Sequence, residues 1–186
     1  MLTIVQRIAA ASFAALCLAA SPGFAADPVM VGGAPMYSNK TIVENAVNSK
    51  DHTTLVAAVK AASLVDTLNS KGPFTVFAPT NEAFAKLPAG TVETLVKPEN
   101  KADLTKILTY HVVAGTHSAK QLIADAKTNG GKVVLKTVQG ESLTIMAQNG
   151  ELSVMDAKGG RSAVSIADVM QSNGVIHVID SVLIPK

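Results

Sequence analysis

Four histidines, His52, His111, His117 and His177, and three well-separated aspartates, Asp156, Asp168 and Asp180, are the side chains of this 186-residue chain best suited to chemistry. A histidine metal site needs ligands at helix-face spacing with a carboxylate beside them, as in H-E-x-x-H. His111 and His117 stand six residues apart with no such carboxylate. His111 instead follows Leu104, Ile107 and Leu108 at helical spacing, which predicts a hydrogen-bonded structural histidine at the core edge, next to Tyr110. His177 lies in the alternating run "VIHVID" and reads as a strand residue. Hydrolysis by paired acids needs two carboxyl groups in one cleft. Strand-like segments separate the three aspartates, and the sequence leaves their approach open. The fragment "TNGGK" lacks the first glycine of a phosphate loop. Met30, Met36, Met146, Met155 and Met170 are scattered and form no metal-binding box. The reading assigns no catalytic residue, no cofactor and no metal.

The stretch "GPFTVFAPTNEAF", Gly72 to Phe84, is the remaining candidate, because a strand runs there into a helix. A nucleophile elbow places a serine between glycines at such a junction. This turn has no serine, no cysteine and no flanking glycine, and Thr80 has no adjacent base. Thr80 or Asn81 is better explained as the cap of a short helix, with Glu82 near its positive end. Phe74, Val76 and Phe77 then anchor a buried strand that stops at Pro79.

The elements around these residues follow from local signals. Met1 to Ala25 reads as a secretory signal peptide: Arg7 supplies the positive region, Ile8 to Ala20 an uncharged apolar run, and Gly23–Phe24–Ala25 small residues for cleavage. Cleavage there removes Cys17, the only cysteine, and lowers the net charge from +2 to +1. Disulfides are thereby excluded from the mature chain, and a charge so near zero argues against nucleic acid. No second apolar segment is long enough to span a membrane. Residues 26–40, with Pro28, Pro35 and Gly32–Gly33, read as a flexible leader. Order is expected from Thr41, where "TIVE" forms a capping box. Asp51 is expected to cap the next helix, whose stripe runs Leu55, Val59, Ala62, Val65, Leu68. Pro98 suits a first helical turn, and Ser118 to Gln121 forms a second capping box.

After Gly130–Gly131 the pattern changes to short alternating strands, separated by Gln139–Gly140, Asn149–Gly150, Gly159–Gly160 and Asn173–Gly174. Asn–Gly pairs favour two-residue hairpins. A helical front half and an antiparallel meander behind it make the fold class α+β, in one domain over 41–186.

Three motifs in order resemble the fasciclin (FAS1) domain family: "FTVFAPTNEAF", the pair Tyr110–His111 in "TYHVV", and "GVIHVIDSVLIP" from Gly174 to Pro185, which contains Val178, Ile179 and Asp180. The resemblance covers Thr41 to Pro185. It implies an antiparallel β wedge or sandwich with several helices at one side, and a periplasmic or secreted adhesion module without enzymatic activity. Its partner would be a protein or glycan of the cell envelope, surface or matrix, with oligomerisation compatible. In animal members an integrin-binding segment of the type Glu-Pro-Asp-Ile-Met precedes the second signature. Here Ile166 and Ala167 replace its Glu–Pro, while Asp168, Val169 and Met170 match in kind. By the resemblance these three, with Tyr110 and His111, are the candidate partner-binding residues, though the Tyr–His pair also suits a buried structural role. A second reading is a carrier of a small apolar ligand or sugar, since a sheet flanked by helices can hold an apolar pocket.

Overall fold

The computed structural model describes residues 28–186, so the expected signal peptide lies outside the described residues. The first ordered element corrects the reading of residues 26–40 as a flexible leader. Strands β1 (Val29–Val31) and β2 (Ala34–Met36) form an antiparallel hairpin. Its turn is Gly32–Gly33, with φ of 58° and 74°. Both positions need positive φ, so the glycine pair is a hairpin turn rather than a linker. Val31, Ala34 and Met36 are buried, and the burial of these side chains is what the composition-based reading missed.

The capping box at Thr41 is formed: its hydroxyl accepts from the Glu44 amide, and the Glu44 carboxylate accepts from the Thr41 amide. It starts α1 (Ile42–Ala46). A 3-10 turn, Lys50–His52, leads into α2 (Thr53–Ala61), and α3 (Val65–Asn69) follows. The expected single stripe is thus split at Ser63, whose φ of 59° is left-handed. Asp51 does not cap α2. Asn81, 27 residues beyond Thr54, does so: its Oδ1 accepts from the Thr54 amide at 3.0 Å.

The remaining elements are β3 (Phe74–Pro79), α4 (Asn81–Ala85), α5 (Thr91–Leu95), α6 (Lys101–Tyr110), β4 (Val112–Ala114), α7 (Ala119–Thr128), β5 (Lys132–Lys136), β6 (Ser142–Gln148), β7 (Glu151–Met155), β8 (Arg161–Gln171) and β9 (Gly174–Ile179). Thr80 caps α4, with its hydroxyl accepting from the Ala83 amide at 3.2 Å. Strands β5 to β9 are the expected antiparallel meander. Asn149–Gly150 makes its predicted tight turn, with φ of 53° and 86°. At the β8–β9 turn the expectation shifts by one residue: Gln171 pairs with Gly174, so the loop is Ser172–Asn173. Gly174 is required for another reason. A Cβ there would collide with the backbone of Phe74.

That contact marks the step the local pattern did not show. Strand β3 lies parallel to β9, giving the order β4-β3-β9-β8-β7-β6-β5. The two ends of this sheet approach each other: Val113 bridges Thr137, and the Val138 amide donates to the Val112 carbonyl at 2.8 Å. Neighbouring residues of β3 and β9 feed opposite cores, because side chains alternate across a sheet. Val76, Ala78, Ile176 and Val178 face the core beneath α1, α2, α3 and α6. Phe77 and Ile179 face the core shared with α7 and strands β5 to β7. Burial on both faces explains why β3 and β9 read as nearly continuous apolar runs.

Candidate interaction site

The residues before the second signature are set by a bulge. The pairing of β8 with β9 shifts register between Ile166 and Val169, and Asp168 there adopts a left-handed φ of 56°. A short polar side chain tolerates that conformation. The irregularity turns the Asp168 carboxylate towards α7, where Oδ1 accepts from the Ala119 amide at 2.7 Å. A carboxylate at that position satisfies a free amide and complements the helix dipole. The Asp168 amide in turn donates to Nδ1 of His177 at 3.3 Å, and Nε2 of His177 donates to the His117 carbonyl at 2.8 Å. Thr75 Oγ1 donates to the Gly115 carbonyl at 2.7 Å and accepts from the His117 amide at 2.9 Å. Three strands thus pin the loop from Gly115 to Ala119 onto the sheet. His177 is buried against Phe77, with ring centroids 5.6 Å apart. Burial, opposed by the His117 carbonyl and the charge of Asp168, keeps its pKa below the ordinary histidine value.

Asp168 and its two neighbours therefore do not share one role. Val169 is 1% exposed and belongs to the core beneath the helices, so the expectation that it contacts a partner is corrected. Its place in the ladder beside Ile176 turns its side chain inward. Met170, the next residue, is 45% exposed. Of the three it is the side chain free to meet a partner.

Tyr110 and His111 are both interior, which corrects the alternative in which they shape a partner surface. The Tyr110 hydroxyl donates to the Ser142 carbonyl at 3.0 Å and accepts from the Ala157 amide at 2.8 Å. Burial, reinforced by the charges of Asp156 and Glu141 and opposed by the Ala157 amide, raises its pKa. His111, 2% exposed, donates from Nδ1 to the Ile107 carbonyl at 2.8 Å and accepts at Nε2 from the Leu183 amide at 3.0 Å. Burial pushes its pKa down to about 4. The pair ties α6 to the meander and to the C-terminal segment.

The aspartates are engaged in the same way. Asp156 accepts from the amides of Lys158, Gly160 and Ile184 at 2.7–3.0 Å. Asp180 accepts from the Ala163 amide at 2.9 Å and the Ser162 hydroxyl at 3.0 Å, with Lys86 Nζ at 3.3 Å. Those donors outweigh the opposing effect of its partial burial and hold its pKa below the usual carboxylate range. Among the described residues no cluster of three histidine, cysteine or acidic side chains is placed to hold a metal ion. No helix among them is long and apolar enough to cross a membrane.

Two polar groups escaped the sequence reading. Asn173, read as part of a turn, is buried: Oδ1 accepts from the Ile42 amide at 3.1 Å, and Nδ2 donates to the carbonyls of Leu68 and Ser70. It clamps the start of α1 to the end of α3 over more than 100 residues of chain. His52 was placed nowhere by its spacing. It is buried at the end of the 3-10 turn, with Nδ1 2.9 Å from Ser49 Oγ and no partner at Nε2.

Comparison with known proteins agrees with this architecture. Residues 50–185 match the model of the Fasciclin domain. The chain is 51% identical to "Protein sll1483" of Synechocystis sp., over 84% of its own length and 79% of the relative's. It is 38% identical to the immunogenic protein MPB70 of Mycobacterium bovis, over 95% and 93% of the two chains. Its fold matches that of a FAS1 domain pair from the insect cell adhesion molecule Fasciclin I, with a TM-score of 0.68 at 24% identity, over 77% of this chain and 50% of that one.

Proposed function

Because the chain belongs to the Fasciclin domain family, a family of adhesion and interaction domains, we propose that it is a non-catalytic, extracytoplasmic interaction module that binds a protein or glycan of the cell envelope, surface or matrix. The observation that carries this reading is the use made of its polar residues. The caps Thr80 and Asn81, the pair Tyr110–His111 and the acids Asp156, Asp168 and Asp180 each make internal hydrogen bonds that hold elements together. Side chains used in this way build a scaffold suited to binding by surface complementarity. The partner surface we assign is centred on exposed Met170, on a strand tied to α7 through the Asp168 bulge. Methionine is enriched in protein interfaces relative to the rest of the surface.

The test uses the purified mature protein, cross-linked in solubilised envelope and surface fractions. The reading expects capture of one macromolecule, lost in Met170→Asp while the denaturation midpoint stays in place. Capture of nothing, or capture unchanged by Met170→Asp, rejects the assigned surface.

A further inference from the structure

The core beneath the helices is not filled. A cavity of about 70 Å³ lies between the sheet and helices α1 to α3, lined by Ile42, Leu55, Val59, Leu68, Val76 and Ile176 among other apolar side chains. Lys60 and Val138 also line it and are exposed, so the cavity runs from the core to the surface. Protein interiors are normally packed without voids of this size. Water is a poor occupant, because a buried water needs two to four polar partners. Thr109, on the lining, already donates to the Thr105 carbonyl, and Ser49 is engaged with His52. One buried polar atom on the lining has no partner among the described residues: Nε2 of His52, in a ring that is 3% exposed. The Ala78 carbonyl opposes the downward pull of burial on this ring, yet it does not meet Nε2 with hydrogen-bond geometry.

We propose that this cavity is a binding site for a compact apolar alcohol, whose hydrocarbon body fills the void and whose single hydroxyl bonds to Nε2 of His52. A hydroxyl both donates and accepts, so it matches Nε2 whichever ring nitrogen carries the proton. The Ser49 hydroxyl on Nδ1 has the same freedom, so neither tautomer leaves a conflict. Two or three carbons suit a void of this volume, since an apolar cavity of about 150 Å³ holds the six carbons of benzene. A sugar does not fit, because its other hydroxyls would be buried against aliphatic side chains without partners. A carboxylate does not fit beside His52 either, since the cation on the lining, Lys60, stands at the exposed mouth. The site is independent of the surface around Met170.

The experiment titrates isotope-labelled full mature protein with 2-propanol and, separately, with xenon, and follows both by NMR. 2-Propanol is expected to give saturable shifts at the cavity residues and to move the Nε2 resonance of His52. In Ser49→Ala/His52→Phe, which leaves neither the ring nitrogen nor a freed hydroxyl on that wall, its affinity should fall about tenfold, the loss of one hydrogen bond, while xenon still binds. Val59→Phe, which fills the void, should abolish both. Absence of saturable 2-propanol shifts in the unmodified protein, or saturable shifts that leave Nε2 unmoved, overturns the proposal without any variant. Equal 2-propanol affinity in a folded Ser49→Ala/His52→Phe also overturns it.

Discussion

Three buried histidines divide into two kinds. His111 and His177 have both ring nitrogens bonded, one pair tying α6 to the C-terminal segment and the other tying the bulge to the loop before α7. His52 has one nitrogen bonded and the other open on an apolar void. Burial is nearly equal, and so is the direction of the pKa shift. The difference lies in satisfaction. A saturated buried ring is a structural tie, while an unsaturated one costs stability unless something else completes it. The two cores differ accordingly: the void lies in the one beneath α1 to α3, and of the other core's buried apolar side chains only Phe77 reaches its lining.

Truncation should hurt the closed core most. Phe77→Ala removes a ring that is 1% exposed and stacked on His177, and should cost about 3–5 kcal/mol by denaturant titration. A small effect there would mean that the closed core can collapse around the gap.

The pH dependence comes next. A ring whose folded pKa lies below its unfolded value of about 6.5 binds its proton mainly after unfolding. Its stabilising contribution is complete above that pH and is lost as the pH falls towards the folded value. For His111 that window runs down to about 4, and the loss is on the order of 3 kcal/mol. His52 and His177 shift in the same direction and add to it. Thermal melts from pH 7 to pH 4 should therefore fall, with a shallower slope in a folded His111→Gln.

Asp168→Ala removes the carboxylate at the start of α7 and should cost about 0.5–2 kcal/mol, read as earlier hydrogen exchange in that helix. Met170→Asp, two residues on, should stay within about 0.5 kcal/mol. Equal effects would mean that the segment acts as one unit. The smallest expected change is the double variant Ser49→Ala/His52→Phe, neutral or slightly stabilising, because it removes both partners of one buried hydrogen bond together with the unbonded nitrogen. His111→Phe, which strands the Leu183 amide, should destabilise.

Which parts of this were readable beforehand follows from distance along the chain. The caps at Thr41, Thr80 and Ser118 were legible because each joins groups three residues apart. The Asn149–Gly150 turn and the alternation of Leu143 and Ile145 with polar neighbours were legible because dihedral preference and strand period are local properties. The structural role of Tyr110 and His111 was half legible: helical spacing pointed them inward, but their partners at Ser142, Ala157 and Leu183 were hidden.

Residue types and short spacings alone settled the α+β class, the meander and the caps, since each depends on energies summed over a few neighbouring residues. Tertiary structure decided the rest. It laid β3 parallel to β9 about 100 residues away, made Asn81 the cap of α2, drew the residues around Gly32–Gly33 into the core, and left His52 half bonded beside a void. Those outcomes depend on which distant surfaces meet when the two cores close, and no local preference of a polar side chain specifies the group it will find there.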